Sequence, residues 1–366
     1  MPSAGPMTER HFDFAVYGST PFARLLAVFL AEAHQKSVIL IGAMEAHYRL
    51  AHGFDLSVAP ITRPETWRLL AKSESASRRM LTRLGARRAM ARFDPLFLAS
   101  SPDARLALSH FAHMASAFDR AIEAIPDKLA PAGYQAITVR DCLMLDRQEL
   151  EPVLLLGLET RGVVVSPEAE SHFGNDGSVS IRLAGGDAYA AQTAVLADDE
   201  AIVRYIAGLP AHPLLEARPM ISMLTEPTRA LGFRLRISLD GAMAFQRSTL
   251  GLAALAFGQE HRAMLSAGSM LTECGSLRRI AQSAFTTLTT ADGAGIAGKI
   301  GQKGPTLIGG FGPVSAFMAP EFASWLAGTA DRSTEAYIAA RSPDRNINAS
   351  RVGDIRIVDS GVERAA

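Results

Sequence analysis

The residues best suited to chemistry begin at Gly18. The run Gly18-Ser19-Thr20-Pro21-Phe22-Ala23 follows a short apolar segment, Phe14-Ala15-Val16-Tyr17, and leads into a helix-favouring stretch, Phe22 to Ala33. A glycine turn between a strand and a helix gathers backbone N–H groups at a helix N-terminus, where they bind the phosphates of a dinucleotide. The full fingerprint is G-x-G-x-x-G. Here Gly18 holds the first position and Ala23 the third, but Thr20 replaces the second Gly. Pro21 has no N–H, so the available donors are Ser19, Thr20, Phe22 and Ala23, with the Thr20 hydroxyl. The acid that usually ends the second strand and binds a ribose is replaced by Gly42, and Glu45 is the next carboxylate in reach. A plain strand–helix crossover with no ligand accounts for the same residues.

A second glycine group lies near the far end of the chain. Gly309, Gly310 and Gly312 flank Phe311 after an apolar strand pattern, Thr306 to Gly310. Glycines so placed imply a closely approached backbone or torsions that other residues avoid; a strained turn joining strand to helix is the simpler account. His110 and His113 lie three apart on a helical pattern, but no further metal ligands accompany them. The two cysteines, Cys142 and Cys274, exclude a disulfide framework and a cysteine-rich metal site. No histidine pairs with Cys274 in sequence, so it is assigned no nucleophilic role.

These residues need elements to position them. Phe14–Tyr17 and Val38–Ile41 read as buried parallel strands around the helix, a right-handed βαβ unit. Helices are expected from Pro64 to Leu84, with Thr62 as cap, from Ser101 to Ile125, and from Arg147 to Arg161 with Asp146 as cap. Gln135–Leu143 reads as one strand. Gly185-Gly186-Asp187 marks a hairpin, and Thr193–Ala197 a further buried strand. Residues 218–285 read as mostly β, including His261–Ser269. Ala319–Leu326 begins the last sizeable helix.

The chain has 366 residues, with 37 basic and 37 acidic side chains, so its formal net charge is zero. That balance argues against nucleic-acid binding, which needs a surplus of Lys and Arg. Hydrophobic residues at 48% suffice for a large core, and 20% charged residues is too few for a disordered chain. Leu25–Ala33 is too short to span a bilayer, and Glu9, Arg10 and Asp13 leave no secretory leader. The expectation is a soluble, cytoplasmic protein.

The order of the segments resembles the FAD-dependent oxidoreductases of the D-amino-acid oxidase and glycine oxidase type. The matching pieces are the βαβ unit at 12–42, the strand–turn–strand–helix run at 87–125, Met144-Leu145-Asp146-Arg147-Gln148-Glu149-Leu150, and Thr193-Ala194-Val195-Leu196-Ala197. The C-terminal block completes them: Thr290-Ala291-Asp292-Gly293, then Leu307 to Gly312 and Phe317-Met318-Ala319-Pro320. The chain departs from the pattern at Thr20, at Gly42, at Pro313-Val314-Ser315, and at Asp198-Asp199. The acid pair stands where the family has a small residue and Gly, and carboxylates there would repel a pyrophosphate.

The resemblance implies an α/β fold: a Rossmann-like FAD-binding domain with a second, mainly antiparallel β substrate domain. The first would be discontinuous, 10–60 plus 130–215 plus 285–345, and the second 61–129 plus 216–284. It also implies FAD as cofactor and hydride transfer from the C–N bond of a small amine or amino acid. FAD would then lie over Gly18, Ser19, Thr20, Pro21, Phe22 and Ala23, with Glu45 at the ribose. Gly310, Gly312, Ser315, Ala316, Phe317 and Met318 would meet the flavin ring, with N–H groups aimed at its pyrimidine edge. Arg92, Arg236 and Arg247 are the candidate cations for a substrate carboxylate. Lys299, Tyr48 and His52 are candidates beside the flavin. Partners would be the amine or amino acid itself, with no nucleic acid and no membrane span, in a homo-oligomer or as a subunit of a larger complex. Two alternatives stand beside this: a non-catalytic or weakly flavin-binding member of the fold acting as a subunit or ligand-binding protein, and a flavin enzyme of another reaction type.

Overall fold

A computed structural model describes residues 10–42, 50–167, 169–183, 185–206, 212–347 and 353–355. Glu45 and Tyr48 lie outside the described residues. The first eight-stranded sheet is built on β1 (Arg10–Tyr17). It pairs in parallel with β2 (Val38–Ile41) on one side and β12 (Ala188–Leu196) on the other. Parallel β9 (Val164–Ser166) and β19 (Lys303–Gly309) extend this core outward. Antiparallel β10 (Ala169–Phe173), β11 (Val179–Leu183) and β18 (Ile296–Ile300) complete the sheet. The second arm of the hairpin and the buried strand after it form the single strand β12, which follows β1 in register from Tyr189 to Leu196.

Helix α1 (Pro21–His34) crosses from β1 to β2. Thr20 caps it, accepting from the Ala23 N–H, and Pro21 sits at its first position. From Pro21 to Leu30 every residue is buried, against α4 (Arg147–Glu159) and α7 (Ser315–Leu326). Leu25, Leu26, Phe29 and Leu30 each contribute roughly 1.5–3 kcal/mol by leaving water. The same helix buries a charge: Arg24 is 0% exposed and ion-pairs with Glu151 of α4. Helix α2 (Pro64–Arg83) also packs on α7; its cap position is Arg63, without a side-chain bond, rather than Thr62.

The second eight-stranded sheet runs β17 (Arg279–Thr290), β13 (Leu215–Pro227), β16 (Gly251–Phe257), β15 (Ala242–Gln246), β14 (Leu235–Ser238), β5 (Leu96–Ala99), β7 (Gln135–Val139), β6 (Ile122–Ile125). Every pairing is antiparallel except β14 with β5. A small sheet joins β3 (Asp55–Leu56), β8 (Cys142–Leu145) and β4 (Met90–Phe93). The fold is therefore mixed α/β, with a parallel Rossmann-like sheet and a mostly antiparallel one.

Three segments differ from the sequence expectation. The strand foreseen at 135–143 breaks into β7 and β8 at Asp141, which has φ 61°, and the two halves enter different sheets. The helix foreseen at 101–125 is α3 (Pro102–Ala117), capped by Ser101; after Asp119, at φ 57°, the chain turns into β6. His261–Ser269 is not a strand but lies in α6 (Glu260–Ser269), whose buried Ala263 and Ala267 sit four apart on one face. Among the described residues, no helix is long and apolar enough to cross a membrane.

Candidate functional site

A cavity of about 890 Å³ lies where the carboxyl ends of β1, β12 and β19 face the second sheet. Ligands of open α/β sheets bind at this edge. Its apolar wall includes Phe54, Met220, Met243, Phe257 and Phe285. Strand β13 supplies Glu216, Arg218 and Met220 from one face, because residues two apart share a face. Asp55 comes from β3, Asp103 from the first turn of α3, and Arg147 from the first turn of α4. His52 stacks flat on Phe285, ring centres 4.0 Å apart, with its Nδ1 3.6 Å from Glu200.

The charge of the wall is lopsided. Asp55, Asp103, Asp198, Asp199, Glu200 and Glu216 line it, against Arg147 and Arg218. Both guanidinium groups are engaged. Arg147 donates to Glu151 Oε1 at 3.2 Å and to the Ser19 carbonyl at 3.3 Å, and Arg218 donates to Glu216 Oε2 at 2.8 Å. Burial pushes the Asp55 carboxyl up to about 6, with Arg147 opposing.

Asp198 and Asp199 follow β12 and begin α5 (Asp199–Tyr205). The Asp198 carboxylate accepts from Ser19 N at 2.8 Å, Thr20 N at 3.3 Å and Ala201 N at 2.8 Å. The Asp199 carboxylate accepts from Gly310 N at 2.8 Å, Thr287 Oγ1 at 2.9 Å and Leu288 N at 3.4 Å. Burial raises both carboxyls despite these donors.

This geometry bears directly on FAD. The N–H groups of Ser19 and Thr20 already point at a carboxylate, Ala23 N at the Thr20 hydroxyl, and Pro21 has none. A Cβ on Gly18 would stand 2.7 Å from Asp198 Oδ2 and 2.7 Å from Ala23 Cβ, so the space a phosphate would need beside Gly18 holds the chain's own acid. The residues present do not fit a dinucleotide pyrophosphate over this loop.

The sequence candidates divide accordingly. Ser19, Thr20, Pro21, Phe22, Gly310, Gly312, Ser315 and His52 line the cavity. Gly18 and Ala23 are not among the lining residues. Ala316, Phe317 and Met318 are buried in the core with no exposure, because the helix starts at Ser315 and turns those side chains inward. None of the four candidate catalytic cations lines the cavity. Arg92 is exposed and pairs with Asp141; Arg236 is buried on the far face of the second sheet, bonded to Glu273 and the Met270 carbonyl. Arg247 sits in the β15–β16 turn, and Lys299 donates to the Asp176 carbonyl. Sequence reasoning missed Asp55, Arg147, Glu200, Glu216, Arg218 and Phe285. Only β13 carried a signal, Glu216 and Arg218 two apart at the start of an apolar strand. His110 and His113 stay apart from the cavity, and no metal-binding cluster occurs among the described residues.

No protein-family model matches the sequence, and no curated protein does. Solved structures do match in fold. Glycine oxidase from Geobacillus kaustophilus superposes with TM-score 0.70 at 14% identity, covering 93% of this chain and 100% of its own. L-proline dehydrogenase from P. horikoshii gives 0.69 at 13%, covering 92% and 97%. NikD, an amino acid oxidase essential for nikkomycin biosynthesis, gives 0.70 at 12%, covering 93% and 100%. The chain thus has the two-domain fold of the D-amino-acid oxidase-like flavoenzymes, over nearly its whole length.

Proposed function

We propose that this chain is a binding protein built on the amino-acid-oxidase fold, which holds a small amine or amino acid in the cavity between its two large sheets. The observation that supports this most is the charge of the cavity wall. Six carboxyl groups, Asp55, Asp103, Asp198, Asp199, Glu200 and Glu216, line the space against the two guanidinium groups of Arg147 and Arg218, which are themselves engaged with Glu151 and Glu216. An ammonium group suits such a wall, and a ligand carboxylate has one matching fork, Arg218, in exchange with Glu216. The relatives named for glycine and proline handle molecules of this class. The test is calorimetric titration with glycine, proline and their N-acetylated forms. Binding of the free amines alone supports the proposal, with Asp55→Asn weakening it about tenfold, as loss of one charge-assisted hydrogen bond does. Equal binding of the acetylated forms would overturn it.

The fold itself favours a second reading, FAD-dependent oxidation of the C–N bond of the same ligand class. It requires flavin held other than by phosphates on the Ser19–Thr20 donors. Purified protein with flavin absorbance, releasing FAD on denaturation, would favour this second reading; colourless protein favours the first.

A further inference from the structure

The acid pair does more than repel a cofactor. We propose that Asp198 and Asp199 are intramolecular substitutes for a dinucleotide's acceptor groups, and that Asp198 alone keeps a phosphate-competent loop closed. This rests on the reading that no dinucleotide sits over Ser19 and Thr20.

Two glycine turns, at 18–20 and 309–312, carry the chain's strongest dinucleotide signals. Each turn converges on one of two adjacent carboxylates. At the first, Asp198 Oδ2 takes both Ser19 N and Thr20 N, while Oδ1 caps α5 at Ala201 N. The loop opens helix α1, whose dipole favours an anion at this end. A carboxylate there satisfies the same donors a phosphate would, and its charge disfavours a second anion. At the second turn, Asp199 Oδ1 takes Gly310 N, and its Oδ2 binds Thr287 of β17.

Beside each glycine stands one of the acids together with an apolar side chain, Ala23 at Gly18 and Ile202 at Gly309. A Cβ on Gly18 would meet Asp198 Oδ2 at 2.7 Å, and one on Gly309 would meet Asp199 Oδ1 at 3.0 Å. Gly18 therefore has a reason to be Gly with no cofactor bound. The loop keeps the Ser19 and Thr20 donors, the helix and Gly18, departs from the fingerprint at Thr20 and Pro21, and holds Asp198 as its occupant.

A shorter side chain at 198 separates capping from occupation. Serine still caps α5, since Ser is among the preferred N-cap residues, but its hydroxyl falls short of Ser19 and Thr20. Asparagine at the same position keeps the shape, loses the charge and offers one acceptor oxygen instead of two.

The experiment is calorimetric titration of the full chain with ADP, comparing the parent with Asp198→Ser and Asp198→Asn, and with each melting temperature recorded. The expected order of affinity is Asp198→Ser above Asp198→Asn above parent. The serine variant should bind at least about tenfold tighter than the parent, as gain of one charge-assisted bond gives. That binding should weaken with added salt. If the serine variant does not fold, Asp198→Asn against the parent decides. Folded variants that bind ADP no better than a non-binding parent would overturn the substitution by Asp198, while the amine-binding proposal stands. A parent that binds ADP as tightly as the variants would overturn both the closure and the reading beneath it.

Discussion

Removing the Glu151 carboxylate should harm the protein more than removing both Glu151 and its partner. Arg24 is 0% exposed and Glu151 6%, so the pair is held almost entirely out of water. Burial and the nearby Arg147 together lower the Arg24 guanidinium to about 10, and Asp198 pulls it back up. Glu151 therefore serves two cations, Arg24 and Arg147, and Arg147 in turn holds the Ser19 carbonyl. In Glu151→Leu both guanidinium groups lose that partner, and breaking a buried pair in this way costs about 3–5 kcal/mol. In the double variant, Arg24→Met with Glu151→Leu, the buried charge of Arg24 is gone and the helix interface is apolar. Its stability should return to within about 1–2 kcal/mol of the parent, following the behaviour of buried pairs replaced by hydrophobic residues. Urea unfolding followed by circular dichroism and by the fluorescence of Trp67 and Trp325 measures the three proteins, and coincident transitions license the comparison. Equal destabilisation of the single and double variants would refute the reasoning, because the loss would then come from packing rather than charge.

Two further outcomes follow from particular side chains. Burial raises the Asp55 carboxyl in the folded chain to about 6, above its ordinary 3.8, so its contribution to stability is fully present below about pH 4 and is lost as pH rises through about 6; stability measured from pH 4 to 7 should fall across that window, and Asp55→Asn should flatten the fall. At Gly295 an added methyl would stand 2.6 Å from Phe311 Cδ1 and Cζ, with Phe311 itself buried. Gly295→Ala should therefore destabilise by about 1–3 kcal/mol, and a melting temperature unchanged from the parent would show that the Phe311 ring yields freely.

Much of the first sheet was legible because its signals are local. Val38–Ile41 is an unbroken apolar run, Thr20-Pro21 starts a helix, and Asp146 caps one. The failures share a cause, which is long-range choice overriding a local pattern. Gln135–Leu143 looks like one strand until two sheets compete for it, and Asp141 resolves the competition with a left-handed residue. His261–Ser269 contains enough apolar residues for a strand, but Ala263 and Ala267 are small enough for a helix to lie close on β16. The site was harder still. Arg92 and Arg236 suit a substrate carboxylate by strand position alone, yet Asp141 and Glu273 hold them elsewhere. No pattern in the chain says that Asp55 and Glu216 share a cavity, since only the tertiary fold brings β3 to β13. The Asp198-Asp199 departure was visible, but its geometry was not: repulsion was foreseen, whereas the carboxylates occupy the donors themselves.

Asp198 reaches back 179 residues to Ser19, and Asp199 reaches forward 111 residues to Gly310. One dipeptide therefore governs two distant turns, and a change confined to two neighbouring codons alters both without touching a single glycine. In this chain the acceptor that occupies the Ser19 and Thr20 donors is written at the end of β12, in a place that a fingerprint centred on the first turn does not read.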